Sequence, residues 1–397
     1  MTTFKFRSYV LILLAFVLGC SEFIIVGVLD DIASQLHVGV STVGLLVTIF
    51  ALVYAVSTPF VNALVRQHRF YNFILILMAI FIFGNILTAF SSTYLVLVIA
   101  RVVTAIVSGP LISIALTFAN EIAPMDKKAW LVSWIFSGFS IASVFGVPIG
   151  TWISTLAGWR MSFVAITVVS VLTFILMLLS LPKDLRQHAK KSQSGNKQGS
   201  LALFKDRRIQ LGVLLPMLTL AGVYVVYTYL RPILSQQLNF SASAVTIILF
   251  VYGFMSLISN QLSGRLANHN GLAKMPKVFT IEGVILLLLP FALFNRITGL
   301  LVLMALGVCM YLHNSPVQMH FLAVAEADYP QSMVMASSLN SIFANFGIAL
   351  GSATGGLVVD HFGLAATGFG GAIYLAITLV VVIWLNCINQ QHQQSHQ

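Results

Sequence analysis

The amino-acid sequence predicts an all-α membrane protein in which twelve transmembrane helices form two six-helix bundles. Three observations carry this prediction. The 397 residues are 58% apolar and 8% charged, whereas a soluble domain carries roughly 25% charged residues. The apolar residues fall into runs of about 20, the length that crosses a bilayer as a helix. Patterns of small residues in the first half of the chain also recur in the second half.

Twelve apolar runs have the required length, and the short connections between most of them predict antiparallel hairpins. The expected bounds are 8–29, 40–64, 71–91, 93–119, 129–156, 160–181, 209–231, 242–264, 277–295, 298–322, 333–357 and 364–388. The one long polar linker divides them into an N-terminal bundle at 1–181, a cytoplasmic linker at 182–208 and a C-terminal bundle at 209–397. The polar residues 390–397 are expected to fray.

The distribution of positive charge predicts the orientation. With the N-terminus inside, 17 of the 21 Lys and Arg residues lie in inner segments. Cytoplasmic loops carry such an excess of Lys and Arg, so both termini are expected in the cytoplasm. The net charge of +10 therefore reflects topology and does not indicate nucleic-acid binding.

The fifth span has a face suited to close helix packing. Small residues recur there at four-residue spacing: Gly138, Ala142, Gly146 and Gly150. The eleventh span contains a second set with the same spacing: Gly347, Gly351 and Gly355. Gly351 lies 205 positions after Gly146. Such spacing lets another backbone approach closely, so we expect the two faces to pack against each other. Pro148 removes an amide donor and invites a kink in the fifth span.

Other pairs repeat at nearly the same offset. Gly109 and Pro110 align with Ser315 and Pro316, and Glu121 aligns with Glu326. Internal duplication of this kind is typical of transporters built from two related bundles, with the substrate site between them.

Four stretches carry a resemblance to a known family. They are Ser21 to Ala33, the buried Arg101, Gly146 to Phe163 with its Gly158-Trp159-Arg160 end, and Gly264 to Gly271. Through these stretches the chain resembles the twelve-span drug:proton antiporter branch of the major facilitator superfamily. Within that branch it looks most like the arabinose-efflux and sugar-efflux permeases, and the resemblance covers essentially the whole chain. The resemblance implies a monomer in the bacterial cytoplasmic (inner) membrane, driven by the proton gradient without a cofactor.

The cytoplasmic loop that gates this family usually reads Gly-x-Leu-Ala-Asp-Arg-x-Gly-Arg. The first-half counterpart at 62–69 lacks the Asp and both glycines but keeps Arg66 and Arg69. The second-half copy, which begins at Gly264, has Asn268 in place of the Asp. The resemblance therefore implies a basic, inward-facing gate at these loops without the usual acidic relay.

Two ionisable residues are candidates for proton coupling. Glu22 lies deep in the first span and Arg101 lies at a comparable depth in the fourth, so the two side chains could meet. An ionisable residue inside a span is expensive and is a functional candidate by default. Purely structural roles for both residues remain the alternative. Glu282 is expected to extend to the cytoplasm, and Asp30 and Asp31 to lie at a solvated helix end.

Polar and aromatic residues concentrate on particular faces of several spans, which favours a wet central cavity. The candidates for this cavity are Tyr54, Ser57, Thr58, Tyr224, Tyr227, Tyr252, Ser256, Asn260, His313, Asn314, Asn340 and Asn345. For each residue alone, a hydrogen bond that joins two helices is an equally good interpretation.

The first hypothesis is a secondary transporter that exchanges protons for a small molecule by alternating access. Drug-like cations, sugars and amino acid derivatives remain open as substrates. The alternative is a non-transporting receptor or a membrane enzyme on a transporter fold. The sequence lacks a Gly-rich phosphate loop, HEXXH and GXSXG, so an enzyme is not expected. The three cysteines show no spacing that would predict a metal site.

Overall fold

A computed structural model describes residues 2–65, 70–124, 127–183, 203–267, 270–329 and 332–395. Within these ranges, twelve helices are long and apolar enough to cross a membrane. The prediction of a twelve-helix membrane protein is thus confirmed. Nine of the twelve are single helices: α1 (Thr2–Leu36), α2 (Val40–Val65), α3 (Phe70–Ala89), α4 (Tyr94–Ile122), α6 (Trp159–Ser180), α8 (Ala242–Ala267), α9 (Gly271–Ala292), α11 (Met333–Phe362) and α12 (Thr367–Ser395).

The other three spans are interrupted. α5 runs through Lys128–Ile141, a π-helical turn at Ala142–Gly146, and Val147–Ala157. α7 runs through Arg207–Tyr227, a short turn at Leu230–Pro232, and a π-helical turn at Ile233–Gln237. α10 consists of Arg296–Cys309 and Asn314–Asp328. Of these three interruptions, the sequence predicted only the one in α5, from Pro148.

Contacts between Cα atoms divide the chain into two compact units. The first comprises Met1–Ala189 and Ser241–Phe250, and the second comprises Lys190–Phe240 and Val251–Gln397. Each unit is described by itself below. The predicted bundle boundary within 182–208 stays a prediction, because residues 184–202 lie outside the described ranges.

Two helices extend further than the sequence predicted. α1 continues to Leu36, so Asp30 and Asp31 lie inside it, and Asp31 accepts a hydrogen bond from the Ser154 hydroxyl of α5. The expectation that the two residues end the helix was therefore wrong, although both side chains are partly exposed. α12 is helical as far as Ser395, so the expected fraying is not seen up to that residue. The polar tail contains no Gly or Pro, and Gln is a good helix former.

The small-residue face of α5 packs against α1 within the first unit. A Cβ atom added to Gly146 would lie 2.7 Å from the Cys20 sulfur, and one added to Gly150 would overlap Ile24. The expectation that this face meets α11 was therefore wrong, because α1 already occupies it. Residue spacing identifies a face that accepts a close neighbour but does not identify the neighbour.

The matching face of α11 packs against α7 within the second unit. A Cβ atom on Gly355 would lie 2.8 Å from the Val225 carbonyl oxygen, and on Gly347 or Gly351 it would overlap the α7 backbone at Met217 or Ala221. These glycines therefore allow two backbones to touch. Gly264, predicted at the start of the second-half gating loop, lies inside α8 and has open space where a Cβ atom would be.

Pro148 accounts for the interruption in α5. It is buried and is the second residue of Val147–Ala157, directly after the π-helical turn. A proline has no amide hydrogen and its ring clashes with the carbonyl four residues earlier. A π-helical turn widens the helix locally and accommodates this defect, so the predicted kink takes this form.

Close packing at Gly351 predicts a clear contrast between two glycine variants. Gly351→Ala should lower the melting temperature, because its methyl group would overlap the α7 backbone and overpacking costs about 1–3 kcal/mol. Gly264→Ala is the matched control, since alanine is favoured over glycine inside a helix by about 1 kcal/mol. Thermal unfolding of both variants in detergent measures the difference. Equal melting temperatures would contradict the α7–α11 backbone contact.

An ionic cluster links α7 to α10 in the second unit. Asp206 accepts a hydrogen bond from the Arg208 amide at 2.8 Å and caps the start of α7. The Arg208 guanidinium forms ion pairs with Asp206 and with Asp328 at the end of α10. Burial by itself would raise the pKa of Asp206, but the hydrogen bonds and charge of Arg208 outweigh it and lower that pKa.

This lowered pKa predicts the acid sensitivity of the cluster. A carboxyl with a lowered folded-state pKa stabilises the fold above its unfolded pKa of about 3.9, and this stability is lost as the pH falls through the folded pKa. Asp206→Asn should therefore lower the melting temperature at neutral pH, and the difference from the parent should shrink on acidification. Asp360→Asn, at an exposed site of α11, is the control. A pH-independent difference would show that the carboxylate charge is not involved.

Candidate functional site

Arg101 lies at the centre of a polar group in the first unit. Its side chain is completely buried. Nη1 donates a hydrogen bond of 2.8 Å to the Ser21 carbonyl oxygen of α1, and Cζ lies 4.3 Å from the centroid of the Phe50 ring of α2. Among the described residues, Nε and Nη2 have no hydrogen-bond partner. The guanidinium is thus held in place and keeps unused donors.

A chain of hydrogen bonds extends this group to α3. The Ser21 hydroxyl donates to Asn85 Oδ1 at 2.9 Å, and Asn85 Nδ2 donates to the Phe81 carbonyl oxygen at 2.9 Å. α1, α3 and α4 are therefore joined at the level of Arg101. Sequence reasoning missed Ser21, Asn85 and Phe50 because only the tertiary structure brings them to the arginine.

Glu22 follows Ser21 on α1 and is half-buried. Its carboxylate lies within electrostatic range of Arg101 and of the Tyr54 hydroxyl on α2. The ion pairs of the described residues do not include Glu22 with Arg101. The two predicted coupling residues therefore interact electrostatically but do not form an ion pair. A proton can bind to the carboxylate without first breaking such a pair.

The predicted cavity residues of α2 make contacts with α4. Ser57 Oγ donates to the Ile106 carbonyl oxygen at 3.2 Å. Thr58 Oγ1 donates to the Tyr54 carbonyl oxygen at 2.5 Å, and the same hydroxyl fills the space beside Gly109. In this conformation the two hydroxyls serve helix packing, the alternative interpretation that the sequence left open.

Three of the predicted cavity residues form an aromatic group in the second unit. The ring centroids of Tyr224 and Tyr227 are 5.1 Å apart in an edge-to-face arrangement. Tyr227 stacks on Tyr252 of α8, with ring centroids 5.7 Å apart. All three side chains are buried. Such rings offer flat apolar surfaces together with hydroxyl groups, which suits both sugar rings and organic cations.

The break in α10 lies against polar residues of α8. The Tyr311 and Ser315 amides donate to the hydroxyls of Ser259 and Ser263 at 2.9 and 2.8 Å. Asn314 Nδ2 donates to Asn260 Oδ1 at 3.3 Å, which brings two predicted cavity residues together. The other α8 candidate, Ser256, donates to the Gly253 carbonyl oxygen of its own helix at 2.7 Å.

The sequence contains one signal of this break, Pro316. Proline lacks an amide hydrogen and its ring clashes with the carbonyl four residues earlier, here that of Leu312 in the break, whereas the apolar run predicted one continuous helix. Backbone that leaves the helix inside a membrane must find other partners. The Ser259 and Ser263 hydroxyls supply such partners, and their spacing by four residues places them on one face of α8.

Three candidates have buried polar atoms that lack a hydrogen-bond partner among the described residues. Both ring nitrogens of His313, in the α10 break, belong to this group, as do Oδ1 of Asn340 and Oδ1 of Asn345 on α11. Nδ2 of Asn345 donates to the Ser341 carbonyl oxygen at 3.0 Å. Unsatisfied buried polar atoms are uncommon in native structures, so these positions suit contact with a substrate or water.

Glu282 does not lie where the sequence placed it. The expectation was a site near the cytoplasmic end of the ninth span, with the carboxylate extending out to water. In the structure it is the twelfth residue of the 22-residue α9, its side chain is fully buried, and neither oxygen has a hydrogen-bond partner among the described residues. The expectation was wrong because α9 begins at Gly271, six residues earlier than predicted. Arg66 and Arg69, the predicted gate residues, lie outside the described residues.

The α10 break yields a stability prediction. Ser259→Ala removes the acceptor of the Tyr311 amide, and an unsatisfied buried donor costs about 1–3 kcal/mol, so the melting temperature should fall. Ser256→Ala is the matched control on the same buried face, because the Ser256 hydroxyl donates to a carbonyl within its own helix. Thermal unfolding of both variants in detergent tests the difference. A Ser259→Ala variant as stable as Ser256→Ala would contradict the role of this hydroxyl.

Comparison with known proteins identifies the family. The model of the Major Facilitator Superfamily matches residues 11–334. The uncharacterised MFS-type transporter YtbD of Bacillus subtilis (strain 168) is 33% identical over 380 residues, which is 96% of this chain and 95% of YtbD. The inner membrane transport protein YdhP of Escherichia coli (strain K12) is 29% identical over 372 residues, 93% of this chain and 92% of YdhP.

Solved structures share the fold. The nucleoside transporter NupG is similar with a TM-score of 0.74 at 15% identity, covering 98% of this chain and 99% of that chain. The D-xylose-proton symporter is similar with a TM-score of 0.73 at 14% identity, covering 96% and 97%. With the match of the family model and the relative at 33% identity, the chain belongs to the Major Facilitator Superfamily of membrane transporters.

Proposed function

We propose that this transporter exports a small molecule in exchange for protons by alternating access. The observation that carries the proposal is the arrangement of Glu22 beside Arg101. A half-buried carboxylate lies within electrostatic range of a buried arginine that keeps unused donors. Such a carboxylate can bind a proton or remain ionised near the arginine, so its charge can change during a transport cycle.

Arg101 affects whether Glu22 is ionised or protonated. Its positive charge favours the ionised form of Glu22, while the apolar surroundings favour the protonated form. Because Ser21 and Phe50 hold the guanidinium, the arginine does not need to follow the carboxylate. One proton binds Glu22 from one side of the membrane and leaves to the other side, and the exported molecule moves in the opposite direction.

Substrate binding is assigned to the polar and aromatic residues of both units. The interrupted helices α7 and α10 of the second unit resemble the discontinuous helices that form transporter binding sites near the bilayer midplane. The tyrosine group of the same unit supplies aromatic surfaces for a substrate. The substrate is a drug-like compound or a sugar. The titles of the similar solved structures name nucleosides for one protein and D-xylose with protons for another, so the shared fold leaves the substrate class open.

The remaining parts of the proposal follow from the sequence. The protein acts as a monomer in the bacterial inner membrane, with both termini in the cytoplasm, since 17 of its 21 Lys and Arg residues then lie in inner segments. It is a carrier without an enzymatic activity or a cofactor, and the proton gradient supplies the driving force. Arg66 and Arg69 contribute positive charge to the inner gate.

A substrate screen with a proton readout tests this function. Proteoliposomes with an acidic lumen and an internal pH dye are exposed to ethidium, arabinose, a nucleoside and an amino acid ester in turn. Entry of an exchanged substrate should be accompanied by the exit of protons from the lumen, so the lumenal pH should rise. A substrate that accumulates without any proton movement would contradict proton exchange.

Glu22→Gln should abolish the proton movement, because an amide cannot carry the proton. Substrate counterflow without a pH gradient should survive, since the amide keeps the shape of the side chain. Glu121→Gln, at an exposed position near the end of α4, is the matched control and should exchange protons as the parent does. Active accumulation by Glu22→Gln at the parental rate would exclude Glu22 as the coupling acid.

A further inference from the structure

α9 carries an ionisable group that the proposed exchange does not use. Glu282 lies at the middle of the helix, is fully buried, and has no hydrogen-bond partner for either carboxylate oxygen among the described residues. A carboxylate at this depth is costly unless a cation or hydrogen-bond donors compensate it. The surroundings of Glu282 therefore determine whether its carboxyl group is ionised or protonated.

The described residues packed around Glu282 provide no positive charge. Among them, the titratable side chains of Tyr252 on α8 and Cys309 on α10 interact electrostatically with Glu282. α12 presents Gly368, Gly371 and Leu375 to α9. None of the described cations exerts a charge interaction on the carboxyl group of Glu282. An ionised Glu282 would thus be a buried charge without a counter-ion.

A proton is the ligand that best fits these surroundings. It neutralises the carboxylate without needing any additional space. A metal ion would need several ligands, and the described residues contain no group of three or more His, Cys, Asp or Glu side chains that could hold one. An organic cation would need free space beside the carboxylate, whereas the Glu282 side chain is fully buried.

Glu282 lies close to the break in α10. Cys309, which lies within electrostatic range of Glu282, is the last residue of the first half of α10. His313 lies in the same break, is buried, and has both ring nitrogens without a partner among the described residues. Backbone outside a regular helix can rearrange at a lower cost than a continuous helix, so a charge change at Glu282 would act close to a deformable segment.

We propose that Glu282 is a second proton-binding site, located in the second unit and occupied by a proton in the conformation described here. This site does not depend on Glu22, because the two residues lie in different units and neither exerts a charge interaction on the other. Among the described residues, Glu22 is thus a half-buried carboxyl group beside an arginine, and Glu282 is a fully buried one without a cation.

Infrared spectroscopy of the full-length protein in lipid nanodiscs tests the site without any substrate. Isotope labelling of glutamate identifies the C=O stretch of protonated glutamic acid at neutral pH. We expect Glu282→Gln to remove one such band, which Glu22→Gln should leave in place. Glu326→Gln, at an exposed position of α10, is the matched control and should leave the band unchanged. Glu282→Asp retains a carboxyl group and should replace the glutamic acid band by a band of protonated aspartic acid, which does not respond to the glutamate label.

The proposal and the coupling role of Glu22 fail separately in this experiment. An unchanged band in a folded Glu282→Gln variant, or a glutamic acid band that persists in Glu282→Asp, would overturn the second site and leave the exchange through Glu22 untouched. Conversely, loss of the band in Glu282→Gln would support the second site even if Glu22→Gln continued to exchange protons. Melting temperatures of the variants establish that each one is folded.

Discussion

The structure depends on one constraint, the need of every backbone amide and carbonyl group inside a bilayer for a partner within the protein. Helices satisfy it locally, which is why twelve long helices account for the membrane-spanning part of the described chain. The constraint is most visible where it is met by other means. At the break in α10, hydroxyl groups of Ser259 and Ser263 on α8 accept the amide hydrogens of Tyr311 and Ser315. A polar helix face thus makes irregular backbone tolerable at membrane depth.

A buried charge likewise needs a partner within the protein, and the ionisable residues of the two units differ in the partners that they have. Arg101 has a carbonyl oxygen at 2.8 Å and an aromatic face at 4.3 Å, so part of the desolvation cost of its charge is offset. Glu282 has no such compensation among the described residues, and a neutral acid is the form that suits its position. The chain duplicates a packing pattern between its halves, but it does not duplicate the chemistry of its ionisable residues.

Close packing of backbones repeats in corresponding places. The glycine face of α5 meets α1, and that of α11 meets α7. α11 and α7 each come six helices after α5 and α1, so the two contacts are equivalent in a chain that repeats after six helices. The glycines that recur 205 positions apart form one contact within each unit, whereas the sequence alone predicts a contact between the two faces.

The sequence by itself determined the features of the structure that depend on residues close together in the chain. The length of apolar runs predicted all twelve spans, since it needs only the thickness of a bilayer. Glycine spacing predicted the two packing faces, and Pro148 predicted the interruption of α5, because both effects are local. The tertiary structure decided which helix occupies each face, where Arg101 finds Ser21 and Phe50, and how deeply Glu282 is buried. Burial and partners depend on residues that are distant in the chain, and no local pattern records them.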